Sequence, residues 1–309
     1  MTDLLVVGSV NLDEVYPVPE LPIRGETVLS ASSRSRHSGG KGGNQAVAAA
    51  TRTGVAFVGA VGDDDIGEFL RTDLAAAGVD TTYLVAKPAA SGTAVVIVEQ
   101  GSGDNSIVVD QGANLLLDTA DIPPGPLAAA RVVLLQLEIP LKTARAVAER
   151  AAGLVVLNPA PMVDGVVELL DRVDVLVPNE FELRSLLRRD ALIGPDEAAA
   201  AVREAPGRGD VVATFGGAGA YVYERERDRV THIAPPAVAV LDTTGAGDCL
   251  CGVLAAELAA GADLVAAAET AVCVASLSTT RSGARWTQAV DDAELDKLRS
   301  TARRTVIPR

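Results

Sequence analysis

The sequence predicts an α/β fold: a mostly parallel central sheet with helices on both faces, in three layers, carrying a smaller β-sheet beside it. Three observations predict it. Short β-branched runs bounded by turn residues recur at 4–7, 55–60, 132–136, 154–157, 174–177 and 210–214. Helical patterns at 43–53, 66–77 and 140–152 fall between them, and strands that alternate with helices imply βαβ units and a covered parallel sheet. Two stretches, 14–36 and 91–110, break the alternation and read as strands without helices.

Each element follows from its residues. Leu4-Leu5-Val6-Val7 is a buried strand, and the residues before it lack the basic and long apolar regions of a signal peptide. In 91–110, Thr93–Val98 and Ser106–Val109 flank Gly101-Ser102-Gly103-Asp104-Asn105, which is a hairpin pattern. With the Pro-rich 14–36 it would form the small sheet, lying over the main body. Pro123–Pro126 reads as a loop. Beyond 214, Tyr221–Tyr223 and Val230–Ile233 look antiparallel, and Ala-rich helices follow at about 246–260 and 262–280. No internal repeat is present, and residues 1–309 are expected to form a single domain with that small sheet as its lid.

Hydrophobic residues make up 48% of the chain and aromatics only 3%, so Ala, Val and Leu must build the core. A net charge of −14 disfavours nucleic acid or an anionic membrane as a partner, because both would be repelled over most of the surface. Cys249, Cys251 and Cys273 form no disulfide framework, so a reducing cytoplasm is the expected setting. The most apolar late stretch is interrupted by Asp263 and Glu269 and does not span a membrane.

The strongest local signal is Asp242-Thr243-Thr244-Gly245-Ala246-Gly247-Asp248, between a strand and a helix. Small residues admit a ligand close to the backbone, and unpaired N–H groups at a helix start face an anion. There Asp248 is placed to take a proton from an attacking hydroxyl while those N–H groups stabilise a transferring phosphoryl. An ordinary N-cap explains Asp248 equally well on local grounds.

A second cluster, Ser38-Gly39-Gly40-Lys41-Gly42-Gly43-Asn44-Gln45, sets a cation and an amide in flexible backbone. It is not a Walker loop, since Gly42 stands where Ser or Thr should bind magnesium. Lys41 and Asn44 suit hydroxyl binding, although a lysine there is more often simply solvated. Asn11 and Asp13 share one face if extended, and a turn is the alternative. Glu138 follows a strand at the end where ligands collect, or caps the next helix. Asn179-Glu180-Phe181-Glu182 follows the strand 174–177, and its carboxylates suit a hydrated magnesium ion held through water, with ordinary acidic residues of a first helical turn slightly favoured. Thr214-Phe215-Gly216-Gly217-Ala218-Gly219 is compatible with a nucleotide but lacks the dinucleotide-binding spacing. His37, His232 and the cysteines receive no catalytic or metal role.

In their order along the chain these motifs resemble the ribokinase family, the phosphofructokinase-B-like sugar kinases, from about residue 4 to about 290. The most specific matches are GGKGGNQAVAAA at 39–50 and DTTGAGD at 242–248, supported by VGSVNLD at 7–13, QLEIP at 136–140, LNPAP at 157–161 and PNEFE at 178–182. The resemblance implies a ribokinase-like sandwich with a β lid, and transfer of the γ-phosphoryl of ATP to O5 of D-ribose. It implies that Asn11, Asp13, Gly39, Gly40, Lys41, Asn44 and Glu138 contact the sugar, with Asp248 as sugar ligand and base. Gly245, Ala246 and Gly247 would form the anion hole. ATP would lie along Asn179, Thr214, Gly216, Gly217, Gly219 and Gly247, with Glu182 linked to Mg²⁺ through water. A monovalent cation, K⁺, would sit at Asp242, Thr244, Ser278, Arg281, Gly283 and Thr287, largely on backbone carbonyls, and two lids would pair in a homodimer.

Cys249-Leu250-Cys251 and Trp286 depart from the family pattern, where Thr-Phe-Asn and Pro are more usual, and the second departure bears on the cation set. Other small sugars, 2-deoxyribose or fructose, are the alternative substrates. A non-catalytic sugar-binding protein on the same fold is the alternative class. A nicotinamide-dependent oxidoreductase is disfavoured, because no GxGxxG follows the first strand.

Overall fold

Four apolar residues in a row leave no polar face, and Leu4–Val7 accordingly forms β1, buried on both sides within a large sheet. The computed structural model describes residues 3–102, 104–191 and 193–308. After β1 come β2 (Asn11–Val18), β3 (Ser35–Gly39), α1 (Lys41–Ala50), β4 (Val55–Gly62), α2 (Asp65–Ala76), β5 (Val79–Lys87), β6 (Gly92–Glu99) and β7 (Asn105–Asp110). Then follow α3 (Pro124–Ala129), β8 (Val132–Leu135), α4 (Leu141–Arg150), β9 (Leu154–Leu157), β10 (Val175–Leu176), α5 (Glu180–Leu186) and α6 (Pro195–Glu204). The chain closes with β11 (Asp210–Thr214), β12 (Ala220–Glu224), β13 (Arg229–Ala234), α7 (Ala246–Ala259), α8 (Leu264–Ser278), α9 (Asp292–Thr301) and β14 (Arg303–Ile307).

The large sheet has the order β14-β13-β12-β11-β10-β9-β8-β1-β4-β5. From β11 to β5 every pair is parallel, while β12, β13 and β14 run antiparallel at one end. Side chains alternate across it. Leu4, Val6 and Phe57 pack with α1, α2, α7, α8 and α9 on one face, and Leu5, Val7 and Val58 pack with α3 and α4 on the other. Farther along that second face, α5 and α6 cover β11 and β12. This is the predicted three-layer arrangement, with small residues setting the spacing: a Cβ on Gly252 of α7 would lie 2.2 Å from the Gln45 carbonyl oxygen, so α7 and α1 meet backbone to backbone.

The second sheet has the order β3-β2-β6-β7, and its central β2–β6 pair is parallel. The 91–110 hairpin is β6 and β7. In the first stretch the strands are β2, which starts at Asn11, and β3, with residues 19–34 outside regular structure. Asn11 and Asp13 therefore lie in a strand and not in a turn.

Some expectations need correction. Pro123–Pro126 is not a loop: Pro124 opens α3, where its missing N–H would have no partner anyway. The edge strands β5 and β14 carry no clear apolar run in the sequence, because Asp80, Lys87, Arg303 and Arg304 interrupt it. The helix expected at 43–53 starts at Lys41 and ends at Ala50.

Candidate active site

Asp248 stands in the first turn of α7, whose N-cap is Gly245 at φ 73°, with no side chain capping the helix. A Cβ at Gly245 would be 2.0 Å from the Ala284 carbonyl oxygen, so glycine is required by both space and conformation. Gly247 faces open space. The simple N-cap explanation of Asp248 fails, because its carboxylate reaches across to α1. Asn44 Nδ2 donates to Oδ2 at 3.2 Å and Gln45 Nε2 donates to Oδ1 at 3.0 Å. Burial raises the Asp248 pKa, and Lys41, Gln45 and Asn44 oppose that rise while Glu138 adds to it.

Behind Asp248 runs a chain of amides. Gln136 Nε2 donates to Gln45 Oε1 at 2.6 Å, and Gln45 Nε2 also reaches Asn158 Oδ1 at 3.2 Å. Asn158 in turn donates to the Val177 carbonyl at 3.0 Å. Asn179 and Glu182 form a capping box on α5: the Glu182 N–H donates to Asn179 Oδ1 and the Asn179 N–H to Glu182 Oε2, both at 2.9 Å. The ordinary first-turn explanation thus holds for this pair, although both residues also line the cleft beside Asp248. Burial raises the Glu182 pKa against the Asn179 N–H and Lys41.

On the other side, Glu138 Oε2 accepts from Ser9 Oγ at 2.5 Å and from the Lys41 N–H at 3.0 Å. It does not cap α4, whose N-cap is Pro140. Lys41 is not a freely solvated lysine: burial would lower its pKa, but Asp248, Glu138 and Glu182 together raise it. Gly39 leaves room for the Asp13 carboxylate, since a Cβ there would fall 2.0 Å from Oδ2. Gly40, at φ 81°, passes within 2.8 Å of the Asn11 nitrogen by the same measure. Burial lifts Asp13 to about 6, with Arg285 pulling it down and Glu138 and Asp248 pushing it up.

Two residues here had no local signal in sequence. Asn114 is buried, accepts from the Val10 N–H at 3.0 Å, and donates to the Val10 carbonyl at 3.1 Å and to Asn11 Oδ1 at 2.7 Å. Arg285 Nε donates to Asn44 Oδ1 at 3.1 Å.

A cleft of about 130 Å³ is lined among others by Lys41, Asp248, Gly245, Gly247, Asn179 and Thr214, and of the predicted sugar contacts only Lys41 and Asp248 stand in its wall. Gly216 and Gly217 lie in the turn after β11 beside open space, while Gly219, at φ 91°, is pressed against the Ile233 carbonyl; none of the three lines the cleft itself. The Ala246 N–H donates to the Thr243 carbonyl at 3.2 Å. A larger surface hollow between Arg145, Glu168 and Arg208 shares no residue with this site.

The predicted cation set is brought together in part. Asp242 accepts from the Thr244 and Gly283 N–H groups, each at 2.9 Å, and these contacts hold its pKa low against burial. The Ser278 hydroxyl turns back to the Ala275 carbonyl at 2.8 Å, and the Arg281 guanidinium lies over the Trp286 ring. Thr287 is exposed beyond that ring. Among the described residues no group of three or more His, Cys, Asp or Glu side chains is placed to hold a metal, and no helix is long and apolar enough to cross a membrane.

The model of the pfkB family of carbohydrate kinases matches residues 1–289. The chain is 34% identical to a ribokinase of Haemophilus influenzae over 91% of its length and 94% of the relative's. It is 33% identical to a deoxyribokinase of Salmonella typhi over the same shares. A solved structure of Arabidopsis thaliana ribokinase complexed with ribose and ATP superposes with a TM-score of 0.83 at 30% identity, covering 96% of this chain and 98% of that one.

Proposed function

The chain belongs to the pfkB family of carbohydrate kinases, and from that premise we propose that it transfers the γ-phosphoryl of ATP to O5 of D-ribose, giving ribose 5-phosphate. The observation that carries the reading is Asp248. Its two oxygens are fixed by Asn44 and Gln45 in the first turn of a helix whose Gly245 and Gly247 line the same cleft. A carboxylate held by two amides keeps lone pairs for an incoming hydroxyl, and its raised pKa strengthens it as a base.

The roles divide by side of the cleft. Asn11, Asp13, Gly39, Gly40, Lys41, Asn44 and Glu138 bind sugar hydroxyls, with Asn114 fixing the Asn11 amide through its Oδ1. Asn179, Thr214, Gly216, Gly217 and Gly219 carry ATP. Gly245, Ala246 and Gly247 form the anion hole, with Gly247 backbone the least obstructed. Glu182, tied to Asn179, would hold a hydrated Mg²⁺ through water, and that ion would neutralise phosphate charge. Asp242 with the 242–244 and 281–283 backbone would supply oxygen ligands to a K⁺ ion, and Ser278 and Thr287 join that set through the sequence resemblance alone. The exposed apolar strand β7 suits pairing of two lids in a homodimer, and three buried free thiols suit a reducing cytoplasm.

A second substrate has a specific observation behind it: the deoxyribokinase relative is within one per cent identity of the ribokinase one. Turnover on ribose, 2-deoxyribose and fructose, with and without potassium, separates these. Asp248→Asn should lower kcat by about 10²–10⁴-fold while sugar binding persists. Near-normal turnover would sink the assignment, and sugar binding by the wild type without ATP-dependent product would favour a binding protein.

A further inference from the structure

Arg285 lies in the loop after α8, far in sequence from the residues it meets. Its side chain is only 12% exposed. Nε donates to Asn44 Oδ1 at 3.1 Å, the guanidinium pairs with Asp73 of α2, and NH2 lies 3.5 Å from the Gly39 carbonyl, at the outer limit of a hydrogen bond. The space is kept for it: a Cβ on Gly43 would come within 2.8 Å of NH2.

A guanidinium has donors only, and an ionised carboxylate accepts only. Asn44 stands between one of each, so its amide has a single orientation that satisfies both, with Oδ1 to Arg285 and Nδ2 to Asp248 Oδ2. We infer that Arg285 is a positioning residue of the acceptor site, locking the Asn44 amide onto the Asp248 carboxylate while tying α1 and α2 to the end of β3. Its charge also acts on Asp13, against Glu138 and Asp248, which face the same group, while Asp73 and Asp248 act on Arg285 itself. The inference rests on the sugar-kinase reading of the cleft and adds to it a residue that touches neither substrate.

Wild-type turnover on the sugar panel tests that reading by itself; the variants below are compared with it and test Arg285 alone. Arg285→Gln should lower kcat/KM for the sugar on the order of ten- to a hundredfold, with KM for ATP within about twofold. The acid limb of the sugar kcat/KM profile should move to higher pH, because Asp13 loses its cationic neighbour. Arg285→Lys should restore the limb through its charge yet leave kcat reduced, since an ammonium lacks the planar fork. Activity within threefold of wild type and an unmoved limb in Arg285→Gln would overturn the inference, as would equal losses and equal limbs in both variants. Should Arg285→Gln not fold, Arg285→Lys carries the test, and failure of both to fold marks a purely structural strut.

Discussion

Asp13 is a carboxylate that folding makes less acidic. Its pKa is about 6 in the fold against 3.8 in a free chain, so the folded protein binds the extra proton between those values. Stability therefore falls as pH rises from about 4 to 6, and the penalty is fully present above 6. Asp13→Asn should raise unfolding free energy by about 3 kcal/mol at pH 7.5 and change it little near pH 4; urea titrations at the two pH values check this. The same variant should lose sugar affinity, and wild-type kcat/KM for the sugar should decline below about pH 6 as Asp13 takes its proton. At this scale the sequence exposes the groups that chemistry needs, because Asp248, Lys41 and Asn44 sit in Gly-rich runs. It hides their supports. Asn114 lies in a 3₁₀ helix (Gly112–Leu116) and Arg285 in a loop, outside any motif, and they act on residues 103 and 241 positions away, a relation that only the closed fold creates.

The decisive elements are α7 and α1, since the first carries Asp248, the proposed base, and the second orients its carboxylate. Gly252→Ala would drive a methyl against the Gln45 carbonyl oxygen and should destabilise the protein by about 1–3 kcal/mol. It should also lower kcat, because displacing α7 moves Asp248 away from Asn44 and Gln45; thermal unfolding and single-turnover rates measure the two effects. On the nucleotide side, Asn179→Ala removes a capping box and should cost about 1 kcal/mol, together with a rise in KM for ATP. Most elements of the central sheet were legible because buried parallel strands are nearly pure Val and Leu. The edge strands β5 and β14 were not, since one face of β5 and nearly all of β14 meet water and admit charge. The helix α3 was hidden by prolines that a first helical turn accepts.

Among the described residues, the ten-stranded sheet supports the helices that carry Lys41, Asn44 and Asp248, while the four-stranded sheet leaves its outer strand uncovered. On β7, Ile107, Val108 and Val109 are 55%, 68% and 46% exposed, an apolar run that a lone soluble chain would be expected to cover. Val108→Glu should shift sedimentation equilibrium from dimer to monomer, and a wild type that sediments as a monomer at all concentrations would rule out pairing through this strand.

The three thiols of this chain all lie inside it, and burial pushes Cys249 up to about 12 and Cys273 to about 11, with Cys251 raised as well. Near neutral pH they remain protonated and out of reach of maleimide. A fluorophore attached through one new cysteine on the four-stranded sheet would therefore stand on a silent background, ready to report whether that sheet moves when a sugar is added.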